Sequence, residues 1–122
     1  MRVLVTGDRK WKDESLIYEA FDWLIENVAI LPTIVHGAAP GLDSKAERIA
    51  VMAYSWEVDP FPADWDRYAK AAGAIRNQKM LDSQIDFCLA FHRDLRHSRG
   101  TLDMIERCLR SNVEVRLYPR ST

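Results

Sequence analysis

The sequence predicts an α/β fold in which about five mainly parallel strands form one sheet, with helices on both faces. Short β-branched or apolar runs alternate along the chain with longer segments whose apolar residues recur at helical spacing. The 122 residues and the 48% hydrophobic share suit one packed domain that covers 1–122. Such a β-α-β alternation predicts a three-layer sandwich with the strand order 3-2-1-4-5.

The first three elements are a strand, a helix and a second strand. "RVLVTG" (2–7) is a β-branched run closed by glycine, which is typical of a buried strand. The segment 13–31 has a broad apolar face at helical spacing, with Asp13 as its predicted N-cap and Pro32 as its stop. "TIVHG" (33–37) then repeats the pattern of the first strand.

The next two elements are a helix and a short strand. Apolar residues at helical spacing predict a helix over 42–54. Ser44 and Glu47 match a capping box, so Asp43 is expected just outside the helix and facing the preceding turn. A third strand is predicted around 56–59, and prolines end it.

The last four elements continue the alternation. "RYAKAAGAIRNQKMLD" (67–82) is predicted as a helix, and the continuous apolar run 85–91 as a central strand. The segment 100–111 is a short amphipathic helix. The run 113–118 alternates apolar and charged residues, so it is predicted as the edge strand.

Composition and charge disfavour several classes of protein. The net charge of −1 and the pI near 6.3 give no general basic footprint for nucleic acid. Cys88 and Cys108 suit a reducing compartment, and they and the three histidines lack metal-ligand spacing, so no metal is expected. No apolar run approaches a membrane span and "MRVLV" does not resemble a secretory signal, so a cytoplasmic location is expected.

Glycine-containing turns follow three of the predicted strands. Gly7 follows the first, Gly37 and Gly41 the second, and Gly100 the fourth. Because the strands are parallel, all these turns are expected at one edge of the sheet, where ligands bind in such folds. The two later turns open helices, whose N-termini attract anions. The alternative is that these glycines only shape tight turns.

Several polar or aromatic residues near these turns are candidates for ligand contacts. Arg76 and Asn77 lie on one helix and suit a phosphate and a ribose or base, although an exposed arginine with a polar neighbour is the simpler explanation. Asp43 suits ribose hydroxyls, or only complements the helix dipole. His36 is more typical of a hydrogen-bonded, partly buried residue. Trp65 is expected either to stack on a base or to cover the core.

The loop "HRDLRHSRG" (92–100) concentrates cations between the fourth strand and its helix. Arg93, Arg96, His97 and Arg99 lie there, beside a predicted helix N-terminus. Such a cluster suits phosphate binding, and a solvated loop is the alternative.

Four blocks, in order, resemble the SLOG superfamily, and more closely its YspA/YpsA-related branch of small bacterial and phage proteins. They are "TGDR" (6–9), "HGAAPGLD" (36–43), "ADWDRYAKAAGAIRNQKM" (63–80) and "SRGT" (98–101). The resemblance implies a Rossmann-like fold and a site for nucleotides or nucleotide-derived ligands of the ADP-ribose type, with no certain cofactor. The residues expected to contact the ligand are Gly7, Arg9, His36, Gly37, Gly41, Asp43, Trp65, Arg76, Asn77, Arg99, Gly100 and Thr101.

The superfamily also contains LOG-type phosphoribohydrolases, which cleave the N-glycosidic bond of nucleoside monophosphates. Arg76 and Met80 match their motif, whereas Asn77 replaces a lysine. "GT" (100–101) matches part of their "PGGxGTxxE" segment, but Met104 occupies the position of the catalytic glutamate. Methionine cannot stabilise the positive charge that develops on the ribose. Enzymatic activity is therefore left open and no catalytic residue is assigned.

Four other carboxylates of the sequence are candidates for the role of that glutamate. Asp103 is expected to face elsewhere because one residue along a helix turns the side chain by roughly 100°. Glu106 is expected to point away as well. Asp43 and Asp66 are the remaining sources of a carboxylate.

Two statements about partners complete the sequence-based expectations. The DprA proteins share the superfamily fold, so nucleic-acid binding is a third hypothesis, which the acidic balance disfavours. A homodimer or higher homo-oligomer is expected from the number of tryptophans and from the resemblance. These are Trp11, Trp23, Trp56 and Trp65.

Overall fold

A computed structural model describes residues 1–120 and contains one five-stranded sheet in the order β3-β2-β1-β4-β5. All neighbouring strands are parallel. Their bounds are Arg2–Gly7 (β1), Thr33–His36 (β2), Glu57–Pro60 (β3), Phe87–Phe91 (β4) and Val115–Tyr118 (β5). The predicted fold class and strand order are thus confirmed, and the last two residues of the predicted domain lie outside the described residues.

The helices lie on both faces of the sheet. They are Glu14–Asn27 (α1), Leu42–Tyr54 (α2), Trp65–Tyr68 (α3), Ala72–Asp82 (α4) and Gly100–Arg110 (α5), with 3₁₀ turns at Ala69–Ala71 and Leu95–His97. Successive residues of a strand point to opposite faces, so Val3 and Val5 join the core under α1 and α2. Leu4 instead joins a second core with Met80 of α4 and Met104 of α5.

The first helix ends earlier than predicted. Asp13 is its N-cap, and the Asp13 carboxylate accepts the backbone N–H of Ser15 at 3.0 Å. The helix stops at Asn27 because Val28 is already extended, with φ −129° and ψ 127°. Pro32 is therefore not the stop signal.

The predicted capping box of the second helix does not form. Gly41 is the N-cap, and the Ser44 hydroxyl donates to the carbonyl of Ala39 at 3.1 Å. Glu47 pairs with His36 instead. Asp43 consequently lies inside the first turn of α2 rather than just outside the helix.

The predicted helix 67–82 is divided into two pieces. Ala69 has a positive φ of 48°, which breaks the helical path between α3 and α4. The fourth and fifth strands also begin later than predicted, at Phe87 and Val115.

The four tryptophans have different environments. Trp11 and Trp56 are buried in the core, and the Arg116 guanidinium lies 4.3 Å from the centroid of the Trp23 ring. Trp65 is half exposed. Packing within the chain therefore explains most of the tryptophans from which an oligomer was expected. Within residues 1–120, no helix has both the length and the apolarity to cross a membrane.

Candidate functional site

A cavity of about 750 Å³ lies where β1 and β4 end, above α4 and the start of α5. This volume is within the range of roughly 300–1,000 Å³ that is typical of small-molecule sites. The position agrees with the rule that parallel sheets bind ligands beyond the carboxyl ends of their strands.

The cavity brings together ten of the twelve residues expected to contact a ligand. They are Gly7, Arg9, Gly37, Asp43, Trp65, Arg76, Asn77, Arg99, Gly100 and Thr101. His36 and Gly41 are not among the lining residues. A ligand-binding role for each of the ten stays a prediction, because proximity to the cavity is not itself binding.

His36 supports the turn after β2 instead of facing the cavity. The side chain is buried, and Nε2 lies 2.8 Å from Oε1 of Glu47. The other ring nitrogen, Nδ1, accepts the backbone N–H of Ala38 at 2.9 Å. Both ring nitrogens are therefore occupied inside the protein, and a ligand contact of His36 stays a prediction that the cavity lining does not support.

Gly41 is required by the packing of the backbone. It has a φ of +78°, and a Cβ built there would lie 2.2 Å from the carbonyl oxygen of Arg9. The adjacent Leu42 N–H donates to the carbonyl of Asp8 at 3.0 Å. The start of α2 is thus packed against the loop after β1, so Gly41 has a packing role, and a ligand contact through its backbone stays a prediction that the cavity lining does not support.

The carboxylate of Asp43 binds the backbone N–H groups of the turn after β2, where an anionic ligand was expected. The side chain is 6% exposed, and Oδ2 accepts the backbone N–H groups of Gly37 at 3.0 Å and Ala39 at 3.2 Å. Among residues 1–120, Oδ1 has no hydrogen-bond partner. Burial raises the pKa of Asp43, and these hydrogen bonds and the nearby Arg76 only partly oppose it.

Arg76 is held in a fixed orientation on the floor of the cavity. Its Nη1 donates to the carbonyl of Gly37, and its Nε donates to Oδ1 of Asn77 at 3.0 Å. Burial lowers the pKa of the Arg76 guanidinium; Asp43 opposes this effect and the like charge of Arg9 adds to it. The result is a partly desolvated cation whose Nη2 edge is not used by these two bonds.

Asn77 connects the two helices beneath the cavity. The side chain is buried, and Nδ2 donates to Oδ2 of Asp103 at 2.9 Å and to the carbonyl of Gly100 at 3.4 Å. Since Oδ1 accepts from Arg76, both amide donors and the acceptor have protein partners. Asn77 therefore positions Arg76 and α5, and its amide donors are not free for a ribose or base.

The start of α5 directs two neighbouring residues to opposite sides. Met104 is 0% exposed and belongs to the core, whereas Asp103 lines the cavity. The expectation that Asp103 faces elsewhere is wrong. Burial acts to raise the pKa of Asp103, but the hydrogen bonds from Arg107 and Asn77 outweigh it and hold that pKa below its usual range.

The N-terminus of α5 opens into the cavity. Arg99, Gly100 and Thr101 all line it, and the Thr101 N–H donates to the hydroxyl of Ser98 at 3.1 Å. A Cβ built at Gly100 would meet no atom within 4 Å, so the helix start is open on that side. A helix N-terminus carries a partial positive charge, so this opening favours an anionic group.

Only part of the predicted cation cluster after β4 reaches the cavity. Arg93 pairs with Asp13 at 3.3 Å and Arg96 with Asp94 at 3.0 Å, and neither residue lines the cavity. Arg99 does line it. The remaining lining cations come from other elements: Arg9, Lys10, Lys70 and Arg76.

Sequence reasoning missed several polar residues that line the cavity. They are Asp8, Lys10, Lys70, His92, Ser98 and Asp103. Asp8 and His92 directly follow the ends of β1 and β4, which is the signal that identifies them. Within the part of the chain that the structure describes, no group of three or more His, Cys, Asp or Glu side chains is placed to hold a metal ion.

The fold and the cavity define a Rossmann-like α/β protein with a cation-rich site at the carboxyl edge of its sheet. Comparison with known proteins then identifies the family. The profile of the YspA, cpYpsA-related SLOG family matches residues 1–68. The gene 61 protein of Mycobacterium phage D29 is 34% identical over 118 residues, an alignment that covers 93% of each chain. The chain belongs to this SLOG family.

Proposed function

We propose that the protein binds a nucleotide or nucleotide-derived ligand, such as ADP-ribose, NAD or a nucleoside phosphate, and acts as a sensor or sequestering protein. The observation that carries the proposal is the fixed orientation of Arg76. Two hydrogen bonds to Gly37 and Asn77 hold the guanidinium before any ligand arrives. A pre-oriented planar fork suits phosphate because little side-chain entropy is lost on binding.

The electrostatics around Arg76 support an anionic ligand. The like charge of the nearby Arg9 contributes to lowering the pKa of Arg76, so the two guanidinium groups repel each other. A phosphate bound near both guanidiniums would offset their repulsion and the partial desolvation of Arg76. The open N-terminus of α5 at Gly100 offers further donors in the same cavity.

Trp65 supports a ligand with a flat ring. The side chain is 50% exposed and lines the cavity, and the Arg9 guanidinium lies 5.8 Å from the centroid of its ring. A nucleobase that stacks on an exposed indole gains roughly 1–3 kcal/mol. Phosphate and base contacts are thus available within one cavity.

The alternative is a phosphoribohydrolase, which one observation favours. Asp43 lines the cavity, so a carboxylate is present there despite Met104, but its Oδ1, which has no partner among the described residues, is buried and its Oδ2 accepts two backbone N–H groups. Asp66 is exposed and does not line the cavity. Asp103 lines it but already accepts hydrogen bonds from Asn77 and Arg107.

The remaining sequence-based hypotheses receive less support. Nucleic-acid binding through the loop after β4 would use Arg93, Arg96 and Arg99, of which Arg93 and Arg96 are paired with Asp13 and Asp94. A homo-oligomer in the cytoplasm of a bacterial or phage-infected cell stays part of the proposal. Exposed apolar side chains such as Ile25 and Met52 are available for contacts between subunits, and sedimentation velocity measures the oligomeric state.

A thermal-shift panel tests the proposal. The purified protein is scanned with AMP, ADP, ADP-ribose, NAD and cyclic nucleotides, and each mixture is analysed chromatographically afterwards. A ligand at 100 times its dissociation constant adds about 2.7 kcal/mol of stability, which gives a clear shift for a small domain. A shift with intact ligand supports binding. Release of free base and ribose phosphate supports the hydrolase, and no shift with any compound contradicts both.

A further inference from the structure

Two polar side chains that the proposed phosphate contacts leave unused line the cavity side by side. Asp8 follows β1 and His92 follows β4, and the paired register of these strands ends at Gly7 and Phe91. The Asp8 N–H donates to the carbonyl of Phe91 at 3.0 Å, and the His92 N–H donates to the carbonyl of Tyr118 at 3.0 Å. The backbone of both residues is therefore fixed by the sheet.

The hydrogen bond of one ring nitrogen sets the tautomer of His92. Nδ1 accepts the backbone N–H of Asp94 at 3.0 Å, so Nδ1 carries no proton and the ring proton is on Nε2. The His92 side chain is 10% exposed and lines the cavity. It therefore presents a fixed N–H donor.

Asp8 presents an acceptor beside that donor. Its Oδ1 accepts the backbone N–H of Lys10 at 2.9 Å, which orients the carboxylate. Its Oδ2 lies 3.9 Å from Nε2 of His92. This distance exceeds the 2.7–3.2 Å of an N–H···O hydrogen bond, so the donor and the acceptor are adjacent without satisfying each other.

We infer that Asp8 and His92 together recognise a hydroxyl group of the ligand, which for a nucleotide is a hydroxyl of its sugar. The inference rests on the proposed function and deepens it. A hydroxyl is the group that accepts from Nε2–H of His92 and donates to Oδ2 of Asp8 through one oxygen. A carbonyl oxygen or a phosphate meets repulsion from the carboxylate, and an ammonium meets repulsion from the N–H.

The pair also fixes the direction of the ligand. Phosphate is favoured near Arg76 and the start of α5, where the carboxylate of Asp103 is already paired with Arg107, while the carboxylate of Asp8 disfavours it beside His92. The sugar therefore lies over the ends of β1 and β4. Asp43, which sequence reasoning favoured for ribose, has Oδ2 occupied by two backbone N–H groups and Oδ1 almost inaccessible.

The experiment uses the full chain, with NMR signals of the His92 ring and the Trp65 indole as two reporters. AMP, 2′-deoxy-AMP, 3′-deoxy-AMP and ribose 5-phosphate are titrated into the wild type and into Asp8→Asn. The amide keeps an oxygen for the Lys10 N–H and replaces the second oxygen by a donor, so the fold is preserved. Asp66→Asn is the charge-matched control, because Asp66 is exposed outside the cavity.

The expected result is that AMP and ribose 5-phosphate shift the His92 signal, and that at least one deoxy analogue binds about tenfold more weakly than AMP. Asp8→Asn should remove this discrimination, whereas Asp66→Asn should retain it. His92→Asn, which keeps an acceptor near the Asp94 N–H but removes Nε2–H, should remove it too.

Two results overturn the inference, and they separate it from the proposed function. If AMP shifts the Trp65 signal while both deoxy analogues bind equally well, the hydroxyl site fails and nucleotide binding stands. The same holds if Asp8→Asn keeps the wild-type preference. If none of the four compounds moves either reporter, the inference fails, and the thermal-shift panel decides separately whether any nucleotide-derived ligand binds.

Discussion

Replacing Met104 by glutamate restores the side chain that the LOG-type motif has at this position, yet the structure predicts damage rather than activity. Met104 is 0% exposed in the core between α5 and the sheet, together with Leu4 and Cys108. A glutamate of similar length would fill the same space. Its carboxyl would enter the core and would not reach the cavity, which Met104 does not line.

The cost has two main parts. Losing the burial of an apolar side chain costs roughly 1.5–3 kcal/mol, and burying a carboxyl without a partner costs about 1–3 kcal/mol more. The expected loss for Met104→Glu is therefore about 4 kcal/mol, which lowers Tm by roughly 15 °C for a domain of this size. This is a large share of the 5–15 kcal/mol that typically stabilises a domain.

The loss should increase with pH. Burial would raise the pKa of the new carboxyl above its unfolded value of about 4.3, so the folded variant binds more protons than the unfolded chain. The variant then loses up to about 1.4 kcal/mol per pH unit relative to the wild type, between the unfolded and the folded pKa. The extra stability of the protonated form is present below that window.

Urea denaturation of Met104→Glu and the wild type at pH 5, 6 and 7 measures both effects. Met52→Glu is the matched control, because Met52 is 78% exposed and its replacement should change stability by less than about 0.5 kcal/mol. A Met104→Glu protein with wild-type stability, or one that newly releases free base from AMP, would refute the placement of Met104 in the core.

Three further predictions follow from glycines and from the buried acid. Gly41→Ala should lower the free energy of unfolding by about 2 kcal/mol or more, because the new Cβ would lie 2.2 Å from the carbonyl oxygen of Arg9 and Gly41 has a positive φ. Gly73→Ala is the control: the nearest contact of its Cβ is 3.6 Å, so it should not lower the free energy of unfolding. Equal urea midpoints for the two variants would contradict this prediction. Since burial raises the pKa of Asp43, the wild type should lose stability as the pH rises from the pKa of Asp43 in the unfolded chain through its pKa in the folded protein. Urea titrations of Asp43→Asn should lack this decrease of stability with pH. An unchanged decrease would exclude Asp43 as its source. Gly100→Val should change the unfolding free energy by less than about 1 kcal/mol, because the new side chain enters open space. The ligand would use the same space, so calorimetry should show AMP binding at least tenfold weaker than in the wild type. Unchanged affinity would place the ligand away from α5.

Much of the fold was predictable because alternating strands and helices permit few arrangements. Short buried runs such as β1 and β4 and right-handed crossovers already imply parallel pairing and a site at one edge. The end of α1 was mispredicted because Pro32 is a strong stop signal. The helix instead ends at Asn27, five residues before Pro32, where no distinctive residue marks the end.

The site was predictable at the level of elements and less so at the level of contacts. Gly37, Arg76 and Gly100 converge because their elements do. The partner of His36 was not predictable from the sequence. Glu47 lies on the next helix and reaches the His36 ring only because of the three-dimensional path of the turn between them.

The directions of Asp103 and Met104 did have a signal in the sequence. Thr101, Met104 and Cys108 recur at helical spacing and form the buried face of α5. This spacing predicts that Met104 lies in the core and that Asp103 lies outside the buried face of α5. The motif match alone fixed the position along the chain but not the side of the helix.

Arg76 is proposed to bind the phosphate of a nucleotide-derived ligand in this cavity. Isothermal titration calorimetry with the strongest compound of the thermal-shift panel tests it on the wild type, Arg76→Lys and Arg93→Lys. Arg93 is the matched control, because it pairs with Asp13 away from the cavity. The prediction is a loss of about 2 kcal/mol, or roughly 30-fold, for Arg76→Lys, and wild-type affinity for Arg93→Lys. Equal affinities for all three proteins would contradict the claim.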